Sequence, residues 1–151
     1  MLKSVIANLF PAETVSAHCD GPCGVYDPAQ ARVHAEAVLS MTKKIKALSE
    51  SGDTSLAAQN TLSRYIAIKE EEAHATKTDL LVLWTDFFKP AHLEQFPDLH
   101  ETFWMATKQC SKCKTTIDVA AAEELMDMVQ KVHNMFWTAK NKDVAWTPAS
   151  Y

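Results

Sequence analysis

Glycine and proline are so rare in this sequence that two stretches, 53–89 and 98–147, contain neither residue. Both residues interrupt helices more strongly than any others, so long stretches without them favour helices over short strands joined by turns. Apolar residues also recur near helical spacing through most of the chain. Together these features predict an all-α fold.

Four helices joined by short connections are predicted, which makes a four-helix bundle the expected architecture. Asp27 is a suitable N-cap and Pro28 suits the first helical position, whereas Pro90 ends the long second helix. The predicted helices cover about 28–48, 54–87, 98–113 and 118–140. Their expected apolar faces include Val33, Ala37, Leu39, Met41, Ile45 and Leu48 in the first helix, Leu62, Ile66, Leu80, Leu83, Trp84 and Phe87 in the second, and Leu125, Met128, Val129, Val132 and Phe136 in the fourth.

Length, composition and charge limit the class of protein. The chain has 151 residues, of which 47% are hydrophobic, enough for one domain with a single core. Its net charge of −4 argues against nucleic-acid binding, which normally requires a basic surface. No apolar run approaches the roughly 20 residues that span a bilayer. We therefore expect a single domain whose partners include neither nucleic acid nor membrane.

The first 17 residues differ from the rest of the chain. Lys3 precedes a short apolar stretch, but Asn8 and Pro11 interrupt it and Glu13 follows it, so the segment is a poor export signal. We expect 1–17 to be a pro-segment that a processing peptidase removes inside the cell. The mature domain would then be 18–151 and cytoplasmic.

Residues 18–26, HCDGPCGVY, form the most informative segment and are called the hook below. Cys19 and Cys23 lie four residues apart on a loop that contains glycine and proline, so both thiolates can bind one ion. Thiolates and nitrogen donors in a square plane suit Ni(II) or Cu(II). Zinc prefers four tetrahedral side-chain ligands, and the hook offers three.

Cleavage between Ala17 and His18 would add a nitrogen donor to the hook. The new α-amino group, with a reference pKa of roughly 7.7–8.0, becomes available as a ligand. It can form a chelate ring with the amide nitrogen of Cys19, the thiolates of Cys19 and Cys23 complete the plane, and the His18 imidazole can reach an axial position. Anionic amide and thiolate donors bring the Ni(II)/Ni(III) couple into reach, so cleavage would activate the protein for one-electron chemistry.

Three parts of the sequence resemble the nickel superoxide dismutase family. HCDGPCGVYDPAQAR resembles the mature N-terminus of that family, H-C-D-x-P-C-G-V-Y, and LWTDFFKP at 83–90 resembles its L-W-S/T-D-Y-F-K-P segment. The FPDLH segment at 96–100 and the late Phe136-Trp137 pair also match the family pattern. The resemblance covers essentially the whole chain after Ala17. It implies a four-helix bundle, a homohexamer and disproportionation of superoxide to oxygen and hydrogen peroxide.

The same resemblance implies roles for individual residues. His18, Cys19 and Cys23 match the nickel ligands of the family, with one nickel ion per chain. Tyr26 matches a tyrosine that lines the substrate approach and limits access to the metal.

Three positions near the expected metal site depart from the best-known form of the family. His34 replaces a glutamate, Glu72 replaces an arginine, and Phe87 replaces a tyrosine. The first two positions normally orient the axial imidazole. We hypothesise that the roles are exchanged, so that Glu72 accepts the His18 ring N–H and His34 pairs with Glu72.

Several other residues receive simpler interpretations. Cys110 and Cys113, one helical turn apart, are interpreted as packed or exposed thiols rather than a redox pair or second metal site. The Lys-Glu-Glu-Glu run at 69–72 is interpreted as a solvated helix face, except at Glu72. Lys89 and Lys114 are candidates for attracting superoxide. The remaining histidines are expected to be polar surface or satisfied core residues; they are His74, His92, His100 and His133.

Two alternative functions use the same hook. One is a non-catalytic nickel or copper carrier, and the other is a thiol-disulfide protein in which Cys19 and Cys23 form a bridge. Superoxide consumption distinguishes the enzyme from the carrier, and metal analysis with thiol counting distinguishes it from the disulfide protein.

Overall fold

A computed structural model describes residues 24–149 and contains four α-helices. They are α1, Ala29–Glu50; α2, Leu56–Val82; α3, Leu99–Thr115; and α4, Val119–Ala139. Helix α1 packs against α2 and α4, and α3 packs against the same two helices, so the four surround one core. No strand occurs in the described residues. The predicted all-α four-helix bundle is confirmed.

Polar side chains at the helix starts explain the observed boundaries. The Ser55 hydroxyl accepts from Ala58 N–H at 3.2 Å, so α2 begins at Leu56 rather than at the predicted residue 54. Asp118 Oδ1 accepts from Ala120 N–H at the start of α4. Asp27 Oδ1 accepts from Ala29 N–H at 2.8 Å, but α1 begins at Ala29 with Pro28 in the N-cap position, one residue later than predicted.

The end of the long second helix differs from the prediction. We predicted one helix to residue 87, whereas α2 ends at Val82 and Leu83–Phe87 form a π-helical turn. The Phe88 N–H donates to Leu83 O at 3.2 Å, one residue further back than in an α-helix. A short 3₁₀ helix, Pro90–Leu93, follows. The wider turn changes the direction in which the side chains of 83–87 point, and such turns often occur at functional sites.

The core confirms most of the predicted apolar residues and corrects a few. Leu125, Val129, Val132 and Phe136 of α4 are buried as predicted, and Met128 is partly buried. In α1 the buried face contains Ala31, Ala35, Val38, Leu39 and Ile45, while Val33 is 48% exposed. Val33 was predicted to face inward, but at 100° per residue it lies about 200° around the helix from Ala31. Ile66 was also predicted to lie on the apolar face of α2, but it is 36% exposed.

The prediction of a solvated face at 69–72 is wrong for Lys69, which is only 2% exposed. Its ammonium donates to three backbone carbonyls at the end of α3, those of Cys113, Lys114 and Thr116. The last carbonyls of a helix have no partner within the helix, so a buried cation satisfies them well. Lys69 thus joins α2 to the C-terminal end of α3.

The chain after α4 folds back onto the bundle. Val144 O lies 2.9 Å from His133 Nε2, and Ala149 N–H donates to Glu36 Oε2 at 3.1 Å. Trp146 packs against the His133 ring. Between residues 24 and 149, no helix combines the length and apolar character that crossing a membrane requires.

Candidate metal centre

The predicted nickel ligands His18, Cys19 and Cys23 lie outside the described residues, so the structure gives the surroundings of the hook from Gly24 onward. Gly24 has φ of +63°, a left-handed conformation that glycine adopts without strain. Tyr26 is half-buried and packs against the core two residues later. The end of the hook is therefore held against the bundle.

Tyr26 and Phe87 meet at an open depression of about 470 Å³ beside the end of the hook. Their ring centroids are 5.9 Å apart, and the Phe87 ring also lies 4.3 Å from that of the buried Phe136. The π-helical turn presents Phe87 here, because α2 has already ended at Val82. The depression is lined by Gly24, Tyr26, Asp86, Phe87, Lys89, His92, Ala139 and Lys140.

His34 of α1 and Glu72 of α2 are in direct contact. Glu72 Oε2 lies 2.6 Å from His34 Nδ1, and both side chains are about a quarter exposed. Because a carboxylate only accepts hydrogen bonds, Nδ1 is the donor in this contact. The structure therefore brings together the two residues that the sequence hypothesis paired, while the contact with His18 stays a prediction.

Asp79 lies about two turns after Glu72 on α2 and brings a second carboxylate close to His34. Its Oδ2 lies 3.7 Å from His34 Nε2, beyond hydrogen-bond distance, and it is buried without a hydrogen-bond partner among the described residues. Burial raises the pKa of the Asp79 carboxyl, and the nearby His34 partly opposes that rise. Asp79 is thus a carboxylate whose hydrogen-bonding capacity is only partly used.

A second depression, of about 250 Å³, connects Asp79 to the end of the hook. Val25, Tyr26 and Asp27 line one part of it, and Asp79 lines another. Asp79 therefore lies between this depression and His34, whose Nε2 is 3.7 Å from Asp79 Oδ2. A side chain from the hook that entered it would contact the Asp79 carboxylate.

The remaining cysteines do not form a second metal site in the described residues. Cys110 and Cys113 are free and buried, and burial raises the pKa of Cys110 to about 12 and that of Cys113 to about 11. Protonated, buried thiols are poor nucleophiles and poor ligands. Across 24–149, no group of three or more His, Cys, Asp or Glu side chains is placed to hold a metal ion.

The other histidines and the candidate lysines lie in several places. His92 Nδ1 accepts from the Lys89 backbone N–H at 3.0 Å, and His100 Nδ1 accepts from Trp84 Nε1 at 2.9 Å. Lys89 lines the larger depression, whereas Lys114 is not among its lining residues. Sequence reasoning missed Asp79 and Lys140, and their spacing from the hook along the chain gave no signal of this proximity.

Comparisons with known proteins agree with the geometry. The sequence profile of the family described as nickel-containing superoxide dismutase matches residues 13–140. A relative named "Superoxide dismutase [Ni]" from Streptomyces seoulensis is 40% identical over 140 residues, covering 90% of this chain and 98% of the relative. One of the same name from Streptomyces coelicolor is 39% identical over 137 residues, with the same coverage of both chains.

Solved structures match over the bundle as well. A crystal structure of a nickel-containing superoxide dismutase, with nickel ligation corresponding to the oxidised state, superposes with a TM-score of 0.72 and 40% identity. It covers 82% of this chain and 99% of its own chain. A native nickel superoxide dismutase structure gives a TM-score of 0.71 at 38% identity, with the same coverage.

Proposed function

The chain belongs to the nickel-containing superoxide dismutase family, and from that membership we propose how its own residues build the active site. It is a nickel-dependent enzyme that converts superoxide to oxygen and hydrogen peroxide. Neither a non-catalytic metal carrier nor a thiol-disulfide protein is favoured.

We propose that His18, Cys19 and Cys23 hold one nickel ion per chain. The hook supplies thiolate and nitrogen donors, a set that suits nickel, and the described part of the chain offers no competing cluster. The observation that supports the placement is the depression lined by Val25, Tyr26 and Asp79, which links the end of the hook to Asp79, whose Oδ2 lies 3.7 Å from His34 Nε2. When bound, nickel supplies one-electron redox chemistry; the residues around it orient its ligands and control access.

Glu72 is proposed to accept the ring N–H of His18 while it stays paired with His34. One carboxylate can accept several hydrogen bonds, so the contact between Oε2 and His34 does not exhaust Glu72. A partner of this kind fixes the orientation of a ligating imidazole and raises its basicity. The exchange of residue types at 34 and 72 would therefore preserve the support of the imidazole with different chemistry.

Tyr26 is proposed to limit access to the metal from the larger depression. Its ring and that of Phe87 form one wall, and Phe87 carries no hydroxyl. Tyr26 is therefore the wall residue whose phenol can hydrogen-bond a small anion or a water molecule, while Phe87 contributes apolar surface.

Three further features are proposed for the mature protein. A processing peptidase removes 1–17, because the free α-amino group of His18 is needed as a ligand. The mature chain, 18–151, is cytoplasmic and forms a homohexamer. Trp104 and Met105, which are 53% and 42% exposed on α3, supply apolar surface of the kind that subunit contacts cover.

The test is the composition of protein purified from nickel-supplied cells. We expect His18 as the N-terminal residue by mass spectrometry and one nickel per chain. Cys19→Ser and Cys23→Ser should lose the nickel, whereas Cys110→Ala, which removes a buried thiol far from the hook in sequence, should retain it. Full activity in protein that still carries 1–17, or full nickel content in Cys19→Ser, would contradict the proposal.

A further inference from the structure

Lys140 lies directly after α4, and it lines the larger depression. Its backbone N–H donates to Phe136 O at 3.1 Å, and the next residue, Asn141, has φ of +53°, which turns the chain away from the helix axis. The ammonium lies 5.3 Å from the centroid of the Phe136 ring and 5.8 Å from that of Phe87. Aromatic faces attract cations, so two rings hold this ammonium in place.

The charge of Lys140 is not neutralised by a carboxylate. Among the described residues, neither Lys140 nor Lys89 makes an ion pair within 4.0 Å, although both line the same depression. Asp86 is the acidic residue in that lining, and it accepts a hydrogen bond from the Thr85 hydroxyl at 2.8 Å. The depression therefore carries two cationic groups and one anionic group.

The two lysines differ in how firmly they are placed. Lys89 is exposed, whereas Lys140 is partly buried and is held over two rings. A charge held in a concave, partly apolar site acts on a small anion more strongly than a mobile charge in open solvent. Phe87 contributes apolar surface to this lining, and Lys140 and Tyr26 are among its polar residues.

We propose that Lys140 is the positioning residue that captures the superoxide anion in this depression and orients it toward the hook. The proposal rests on the proposed function, because it places the substrate beside the nickel site at the end of the hook. It adds to that function a specific anion-binding group, and it predicts that other small monovalent anions bind there too.

Azide is a suitable probe, because it is a small monovalent anion that can be titrated into the full-length processed protein. Lys140→Met keeps most of the aliphatic chain and removes the charge, and Lys140→Arg keeps the charge. Lys142→Met is the matched control, because the Lys142 ammonium lies 6.0 Å from the Trp137 ring and is not in the lining of the depression.

We expect Lys140→Met to weaken azide binding about fivefold, the size expected for two unit charges roughly 4 Å apart in bulk water. The dependence of the superoxide rate constant on ionic strength should become flatter, while nickel content and the spectrum of the oxidised protein stay unchanged. Lys140→Arg should restore both properties, and Lys142→Met should behave like the wild type. Equal losses in Lys140→Met and Lys142→Met would overturn the proposal, because they would reflect net charge alone.

A second arm separates this proposal from the nickel assignment. The amide signals of Phe87 and Lys140 can be followed by NMR during azide titration of the nickel-free protein, where the ammonium and both rings are still present. We expect the same weakening in Lys140→Met. Wild-type azide affinity in that variant would overturn the role of Lys140, whereas loss of nickel from the hook variants is a separate measurement that tests the metal site.

Discussion

Helix α2 contributes to two polar groups that differ in how completely their hydrogen-bonding capacity is used. One is Lys69, and the other is Glu72 with its neighbours His34 and Asp79. Lys69 and Glu72 lie less than one helical turn apart. Lys69 donates to three carbonyls at the end of α3, so all the hydrogen-bonding capacity of its ammonium is used. Glu72 contacts His34, and Asp79 beyond it keeps a buried oxygen without a partner in the described residues. We call the first group closed, because its hydrogen-bonding capacity is used, and the second group open, because one of its oxygens lacks a partner among the described residues.

The difference indicates what each group does. Burying a charge is costly unless it is paired or hydrogen-bonded, so a closed group such as that of Lys69 contributes to the stability of the bundle. An open group lacks part of that compensation and is available to a further partner. The depression between Asp79 and the end of the hook is where such a partner would enter. Substitutions in the closed group should therefore change stability, and substitutions in the open group should change the metal site.

The largest effect on stability is expected from Lys69→Met. The substitution leaves three carbonyls at the end of α3 without their donor, so we expect the free energy of unfolding to fall by about 3 kcal/mol. Urea denaturation of the nickel-free protein at one fixed protein concentration measures it. The signal of the axial nitrogen in the nickel-loaded, oxidised variant should match the wild type.

Lys44→Met is the control for this substitution. Lys44 is exposed on α1, and its side chain makes no hydrogen bond or ion pair with another described residue. We expect its free energy of unfolding to change by less than about 0.5 kcal/mol. If the two lysine variants were equally stable, the distinction between a closed and an open group on α2 would be lost.

Glu72→Ala should have the opposite effect to Lys69→Met, with a small change in stability and a large change at the metal site. The Glu72–His34 contact is partly exposed, so its loss should lower the free energy of unfolding by only about 1 kcal/mol. The main expected effect is on the metal site, because the His18 ring would lose its acceptor and the axial nitrogen signal of the oxidised protein would change. An unchanged signal would remove Glu72 from the support of His18.

His34→Gln is the companion variant for Glu72→Ala. It removes the imidazole that faces Glu72 Oε2 and leaves the Glu72 carboxylate in place. We expect a smaller change of the axial nitrogen signal than in Glu72→Ala, because the proposed acceptor of the His18 N–H remains. A larger change in His34→Gln would instead make His34 the direct partner of His18.

The helices were predictable because their signals are local. Apolar spacing and boundary residues such as Asp27, Pro28 and Pro90 lie within or next to the segments that they define, so boundaries were correct to within a few residues. The π-helical turn at Leu83–Phe87 was not predicted, since an apolar pattern does not distinguish i→i−4 from i→i−5 hydrogen bonding.

The residues around the site could not be predicted in the same way, because tertiary contacts bring them together. Lys69 lies in a charged run that is typical of a solvent-exposed helix face, and its partners lie 44 to 47 residues away along the chain. Asp79 and Lys140 likewise reach the end of the hook only because the bundle folds α2 and α4 beside it. The His34–Glu72 hypothesis required the family resemblance, because the two residues are 38 positions apart.

The smallest expected change in the free energy of unfolding is that of Asp79→Asn. This variant tests whether burying the ionised Asp79 carboxylate destabilises the fold. Burial raises the pKa of this carboxyl above its usual 3.8, so ionisation is less favourable in the folded than in the unfolded chain. The destabilisation is therefore fully present at pH values above the folded-state pKa, and it disappears as the pH falls below 3.8. The neutral amide removes this cost, so the variant should be more stable at pH 7, by less than about 1 kcal/mol.

Urea denaturation of nickel-free wild type and Asp79→Asn between pH 3 and 7 measures this difference, and the advantage of the variant should shrink as the pH falls. Asp98→Asn is the opposite control, because the Lys131 ammonium lies 2.6 Å from Asp98 Oδ2 and lowers the pKa of that carboxyl. If Asp79→Asn were less stable than the wild type at pH 7, the Asp79 carboxylate would already be satisfied. Lys69 and Asp79 would then differ only in how many hydrogen bonds each makes, and not in whether each is satisfied.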